Sequence, residues 1–234
     1  MRFILTMNIR LTNLFCAFCF LTSIFYKANN IEYSQSFESQ NQGVCFTENN
    51  GQVSDQNHKP RPDVLLGGSA SGFVFHLRNN GLSYQFSRVD VWKYQEDCKI
   101  KEKRKIADQI SIYRLDINWL NCNASSKVKK EHALSGYSNY NMEVCPNGLS
   151  NVKSYRQVIY QSIYKGIDLK WCQKDGNLKH DYIISPGADY KQIQLEIKGA
   201  ENIGLTNKVE LIIKTPFGSI IEKAPLVKQN GNIL

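Results

Sequence analysis

From Phe73 onward, apolar and polar residues alternate with a period of two, and turn-forming residues interrupt them roughly every ten to fifteen positions. Phe73, Phe75 and Leu77 share one face, with His76 and Arg78 on the other, and Leu82, Tyr84 and Phe86 return after Asn79-Asn80-Gly81. A two-residue Asn80-Gly81 loop of type I′ is the expected turn, setting Phe75 opposite Phe86 and Leu77 opposite Tyr84. Tyr113, Leu115, Ile117 and Trp119 alternate again. Ile167, Leu169 and Trp171 run toward Asp175-Gly176, and His180, Tyr182 and Ile184 come back. A two-residue loop there pairs Trp171 with His180, Leu169 with Tyr182 and Ile167 with Ile184. On the opposite face it sets Lys170 against Asp181, an opposite-charge pair contributing roughly 0.2–1 kcal/mol. Both faces support that register. Ile193, Leu195 and Ile197 form a further strand ended by Gly199. Val209, Leu211 and Ile213 form another, turning at Pro216–Gly218 into Ser219–Glu222.

The pattern predicts an all-β, antiparallel, hairpin-rich, β-sandwich-like domain. No long stretch carries the 3.6-residue period of a helix, and without strand–helix alternation a parallel α/β sheet is disfavoured. Elsewhere the signal is weaker. Order is expected to begin at Val44–Thr47, followed by an Asn50-Gly51 turn and an extended His58–Pro62. Asn121–Leu149 is rich in Asn, Ser, Gly and Lys and reads as loops with one short element around Tyr137–Met142.

Met1–Asn30 has the pattern of a secretory leader. Arg2 and Arg10 supply a positive start, Leu11–Tyr26 is mostly apolar but short for a membrane span, and Ala28 suits a cleavage point. Met7 offers a second candidate start, and an uncleaved anchor is the alternative. Phe15 and Phe18 precede Cys16 and Cys19 where a lipoprotein signal needs a small residue. The expected organisation is a signal peptide over 1–28, a polar lead-in over 29–43 and a β-rich domain over 44–234.

Composition changes this picture little. With 234 residues, 42% hydrophobic and 11% aromatic, the chain has enough apolar material for a core. Losing Arg2, Arg10 and Lys27 with the leader lowers the net charge from +8 to +5. Lys99–Lys105 (KIKEKRK) holds much of the remainder, with Glu102 its one acid. Such a run suits either an anionic glycan or nucleic acid, or a solvated loop. The loop is favoured, because no aromatic residue interleaves the run and an exported protein seldom meets nucleic acid. Five cysteines remain after the leader: Cys45, Cys98, Cys122, Cys145 and Cys172. The odd count leaves at least one free or paired between chains, and their pairing is open. Neither they nor His58, His76, His132 and His180 show zinc-ligand spacing, so no metal or cofactor is expected.

A family resemblance rests on motifs in order: F-x-E-N-x-G-Q (Phe46–Gln52), G-x-x-Y-x-F (Gly81–Phe86), N-Y (Asn139-Tyr140), Y-x-x-V-x-Y (Tyr155–Tyr160), Y-x-G-I-D-L (Tyr164–Leu169), P-G-A-D (Pro186–Asp189), G-A (Gly199-Ala200) and G-x-I-x-E-x-x-P (Gly218–Pro225). The stretch from Cys45 onward resembles the N-terminal domain of unknown function that precedes SBBP (seven-bladed β-propeller type) repeats in secreted and surface proteins of Bacteroidetes. The resemblance implies a large extracellular protein with repeats and a type IX sorting signal. It also implies further strands beyond Pro225, so the domain over 44–234 is expected to be incomplete.

For chemistry, Asp168, Asp181 and Asp189 are the visible carboxylates, and a pair of them would suit glycoside hydrolysis. Structural roles are favoured: Asp181 in a salt bridge with Lys170, and Asp189 bonded to its own turn. Glu48 and Asn49 beside Gly51 suit a turn better than a ligand site, and His180 against Trp171 suits packing better than base catalysis. Asn123-Ala124-Ser125 is a formal glycosylation sequon. No catalytic, cofactor-binding or metal residue is assigned. The expectation is a secreted, non-enzymatic module with an interaction or adhesion role toward an extracellular protein or glycan, without nucleic acid and without a stable membrane span after leader removal. Two alternatives stand beside it. One is a carbohydrate-binding module using Tyr137, Tyr140 or Trp92, and the other is a hydrolase using Asp168.

Overall fold

The computed structural model describes residues 3–12, 43–70, 72–96, 103–229 and 232–233. Its strands are β1 (Phe3–Thr12), β2 (Phe46–Glu48), β3 (Val64–Ala70), β4 (Phe73–Arg78), β5 (Gly81–Glu96), β6 (Lys103–Trp119), β7 (Lys127–Met142), β8 (Cys145–Tyr164), β9 (Ile167–Lys174), β10 (Asn177–Ile184), β11 (Leu195–Lys198), β12 (Asn202–Leu205), β13 (Leu211–Thr215), β14 (Gly218–Glu222), β15 (Leu226–Gln229) and β16 (Asn232–Ile233). The helical content described is one 3₁₀ turn, Tyr190–Gln192. Hydrogen bonding runs in the order β11-β6-β5-β4-β3-β2-β8-β9-β10-β1-β14-β13-β12. The chain is all-β and antiparallel, as the alternation predicts, but built as one continuous sheet that curls on itself.

Curling brings the inner faces of distant strands together. Trp119 of β6 meets Tyr160 of β8 edge-on at 5.0 Å, and the Tyr160 hydroxyl donates to the Arg78 carbonyl at 2.9 Å. Phe46 and Phe75 meet at 5.5 Å. Phe75, Leu77, Leu82, Tyr84, Leu115, Leu169 and Tyr182 are all buried in this core.

The β9–β10 hairpin has the predicted register residue for residue: Trp171 opposite His180, Leu169 opposite Tyr182, Ile167 opposite Ile184 and Lys170 opposite Asp181. Asp175 and Gly176 sit at φ 52° and 77°, the left-handed pair a type I′ turn requires. The β4–β5 hairpin departs by two residues. Phe75 faces Tyr84 and Leu77 faces Leu82, so the loop is Asn79-Asn80 and Gly81 already belongs to β5. A shift of two keeps each side chain on its face, so the predicted core set survives. Gly81 is needed for proximity: a Cβ there would run into the carbonyl oxygen of Ile117 on β6.

One expectation is corrected, and one segment joins the sheet without having been read as a strand. Residues 121–149, read as loops, hold most of a long hairpin: β7 runs 16 residues and pairs with the 20-residue β8. Its outer part is wet on both faces, so the burial signal that alternation reports is absent while the backbone ladder persists. Second, Phe3–Thr12, assigned by sequence to the leader, forms β1. It pairs with β10 on one side and with β14 and β15 on the other. Phe3, Leu5, Met7, Ile9 and Leu11 alternate with Ile4, Thr6, Asn8, Arg10 and Thr12, a strand pattern that the leader reading passed over. The rest of the leader and the 29–42 lead-in lie outside the described residues.

Cys45, Cys122, Cys145 and Cys172 are free thiols, and Cys98 lies outside the described residues. Burial pushes the Cys45, Cys122 and Cys172 thiols up, away from the reactive thiolate. Among the described residues no helix is long and apolar enough to cross a membrane.

Two glycine variants separate proximity from turn strain. Gly81→Ala is expected to cost about 3 kcal/mol in denaturant unfolding, because a backbone oxygen must move. Gly176→Ala meets open space and carries only the cost of its φ, about 1 kcal/mol. Equal losses would contradict the close approach of β5 and β6.

Candidate functional site

The carboxylates offered for catalysis all hold structure. Asp181 is buried, with Lys179 Nζ at 2.9 Å and Lys170 Nζ at 3.2 Å. Asp189 caps the 3₁₀ turn, accepting from the Lys191 N–H at 3.0 Å. Asp168 accepts from the Ser162 N–H at 2.7 Å. Ser162 sits at φ 51° where the β8–β9 register shifts, so Asp168 pins a bulge. Asn49 organises its loop: Nδ2 donates to the carbonyls of Arg61 and Val64, and Oδ1 accepts from the N–H of Gly51 and Val53. Glu48 accepts from Lys130 and the Tyr155 hydroxyl, which hold its carboxyl below the usual range against the opposing pull of burial. Asn123 is exposed, its side chain accepting from the Ser125 N–H. Among the described residues no three His, Cys, Asp or Glu side chains cluster with metal-site geometry.

Two surface arms emerge instead. The outer part of β5–β6 carries Trp92 (49% exposed) and Tyr94 (69%) on one face, with Tyr94 directly opposite Lys105. The Lys105 ammonium lies 4.7 Å from the centre of the Trp92 ring, a cation–π contact. Along the chain the basic run contains no aromatic residue; across the hairpin its last residue, Lys105, meets both rings, Tyr94 by register and Trp92 through its ammonium. The second arm, β7–β8, exposes Tyr137 under the Lys153 ammonium. It also forms an open hollow of about 340 Å³ lined by Asn139, Tyr140, Asn141 and Asn147. The sequence reading names Trp92, Tyr137 and Tyr140 together as sugar-stacking aromatics. The fold divides them between two arms.

Beneath β1 lies a buried polar group that the sequence reading did not single out as a unit. Tyr84 of β5, Trp171 of β9, His180 of β10 and Glu222 of β14 line a cavity of about 20 Å³, room for about one water. Among the described residues, Tyr84 Oη, Trp171 Nε1, His180 Nδ1 and Glu222 Oε1 find no hydrogen-bond partner. His180 Nε2 lies 3.6 Å from Glu222 Oε1, and the His180 ring packs on Trp171 at 4.7 Å and on Tyr182 at 5.6 Å. Burial pushes the Glu222 carboxyl up to about 7. Burial also pushes His180 down to about 4, while its neighbours Asp181 and Lys179 oppose one another.

Residues 46–232 match the model of a family described as a domain of unknown function, DUF7948. The chain belongs to that family. No curated protein and no solved structure matches it. In this DUF7948 domain, Tyr84 and Glu222 are letters of two separate sequence motifs that meet in space. His180 was legible as an inward residue opposite Trp171; its approach to Glu222 was not, because the two strands flank β1.

The pair fixes a pH signature. Between its ordinary 4.5 and about 7, folded Glu222 holds a proton the unfolded chain has released, so its contribution to stability falls as pH rises. Between about 4 and its ordinary 6.5, unfolded His180 binds a proton the folded residue lacks, so stability rises with pH. The two cancel from about 4.5 to 6.5, leaving a fall between 6.5 and 7. Glu222→Gln removes one side of the balance. Its stability relative to the parent is expected to climb by about 3 kcal/mol from pH 4.5 to 7. Parallel stability–pH curves from urea unfolding would overturn this.

Proposed function

We propose that this is a non-enzymatic, secreted β-domain, the N-terminal module of a cell-surface or extracellular protein, and that it holds a partner against its hairpin arms. The observation that carries the reading is the β5–β6 arm. There a tryptophan and a tyrosine, residue types that dominate binding hot spots, stand exposed beside lysines on a paired ladder. Asp168, Asp181 and Asp189 are occupied in holding the fold, which supports binding over hydrolysis. The leader pattern of residues 1–28 supports export. A place ahead of SBBP repeats in a Bacteroidetes surface protein belongs to the same proposal and rests on the motif resemblance.

A second reading, a carbohydrate-binding module, is favoured by the hollow beside Tyr140, where asparagine amides and a ring edge provide the groups that bind sugar hydroxyls and faces.

Fluorescence tests the arm directly, because Trp119 and Trp171 are buried and Trp92 is the accessible indole. A panel of neutral and anionic polysaccharides titrated against the full chain is expected to quench Trp92 saturably with at least one member. Trp92→Ala should weaken that binding about 30-fold, with stability changed by no more than about 0.5 kcal/mol. Unchanged binding in Trp92→Ala and Tyr94→Ala would overturn the arm as the site. A response lost only in Tyr140→Ala would transfer it to the second reading.

A further inference from the structure

We propose that the position held by β1 is an acceptor groove for a β-strand, filled after leader removal by an extended segment of a partner polypeptide. The inference rests on the export reading above for its timing and on the sheet for its geometry. β1 is paired along both edges: residues 3–8 with β10, residues 3–6 with β15 and residues 9–12 with β14. β14 and β15 follow each other along the same side, in registers one residue apart. Within the sheet order β1 is the link between β10 and β14. Taking away 1–28 therefore removes a strand from inside the sheet. What remains is two facing edges about two strand spacings, roughly 9.5 Å, apart, each with unpaired N–H and C=O groups. Such groups are costly to leave unmade where water is poorly admitted, and they accept an incoming backbone in one register.

The occupant's chemistry is written in the strand now seated there. Phe3, Leu5 and Met7 stand at the register positions of Ile184, Tyr182 and His180, and Ile9 and Leu11 at those of Glu222 and Ile220. All five facing residues are buried. The groove therefore selects an extended segment about ten residues long, apolar at every second position, running antiparallel to β10. His180 and Glu222, brought side by side across this position, mark its middle. Proline is excluded most strictly over residues 3–6, where both strand edges are in use.

The test uses the full chain with a specific protease site placed between residues 28 and 43 and cut after folding. A fluorescent peptide with the sequence of residues 3–12 is then added. The expected result is saturable, one-to-one exchange of the labelled peptide into the cut protein, competed by unlabelled peptide. A peptide carrying Leu5→Pro, at a position paired on both edges, should bind at least 100-fold more weakly. Failure of the labelled peptide to exchange, or equal binding of the proline peptide, would overturn the groove. A strand-exchanged dimer of the uncut chain would overturn the partner-chain assignment in favour of a second copy. The mass of the exported protein answers separately. Retention of residues 1–28 would refute leader removal, and with it the timing proposed here, while the exchange result still reports on the groove itself.

Discussion

The constraint on which the fold depends is the pairing of backbone groups along both edges of β1. A sheet of this length must curl, and curling leaves β10 and β14 one strand apart in the hydrogen-bonded order. One strand between them completes two ladders at once, and the inner face of the curl then closes over Tyr84, Trp171, His180 and Glu222. Hydrophobic burial supplies most of the stabilisation, but it is non-directional. Which strands become neighbours is decided by where the N–H and C=O groups find partners.

The same constraint explains the polar atoms in the core. Each of the four strands bringing in Tyr84, Trp171, His180 or Glu222 places its residue inward by strict alternation, with apolar residues two positions away. Four polar tips from four strands converge on one small cavity, and none finds a hydrogen-bond partner among the described residues. Neutral histidine and protonated glutamate are the forms that such a site tolerates, since an unpaired buried charge costs several kcal/mol. Asp181, on the opposite face of the same strand from His180, has two lysine ammonium groups within salt-bridge distance. One strand thus carries a charged face and a neutral one, according to what lies across from each.

How much of this the sequence disclosed follows from what alternation reports. The β9–β10 hairpin was readable to the residue because its turn dipeptide admits one loop and both faces agree on register. Asn79-Asn80-Gly81 admits two loops, and the choice is made by a carbonyl of β6, nearly forty positions away, lying where a side chain on residue 81 would sit. The arms were unreadable because a ribbon wet on both faces needs no alternation. Trp92 and Tyr94 were visible as residues, but their approach to Lys105 is a cross-strand fact. The pattern in residues 3–12 was legible; a leader accounted for the same residues and took precedence.

Occupancy of the β1 position and protonation of the buried pair are thermodynamically joined. Burial is what displaces His180 and Glu222 from their ordinary values, and β1 runs between the strands that carry them. With the groove filled, the pair is neutral; with it open and wet, the ordinary values of 6.5 and 4.5 make the pair ionic through the intervening range. Filling moves a proton from histidine to glutamate without changing the total, so occupancy is insensitive to pH between about 4.5 and 6.5. Above 6.5 the open groove has lost its histidine proton while the filled one still retains its glutamate proton, so filling takes up a proton and weakens as pH rises toward 7. A strand seated at mildly acidic pH is therefore held more firmly than one at neutral pH, through two side chains that are buried while it is in place.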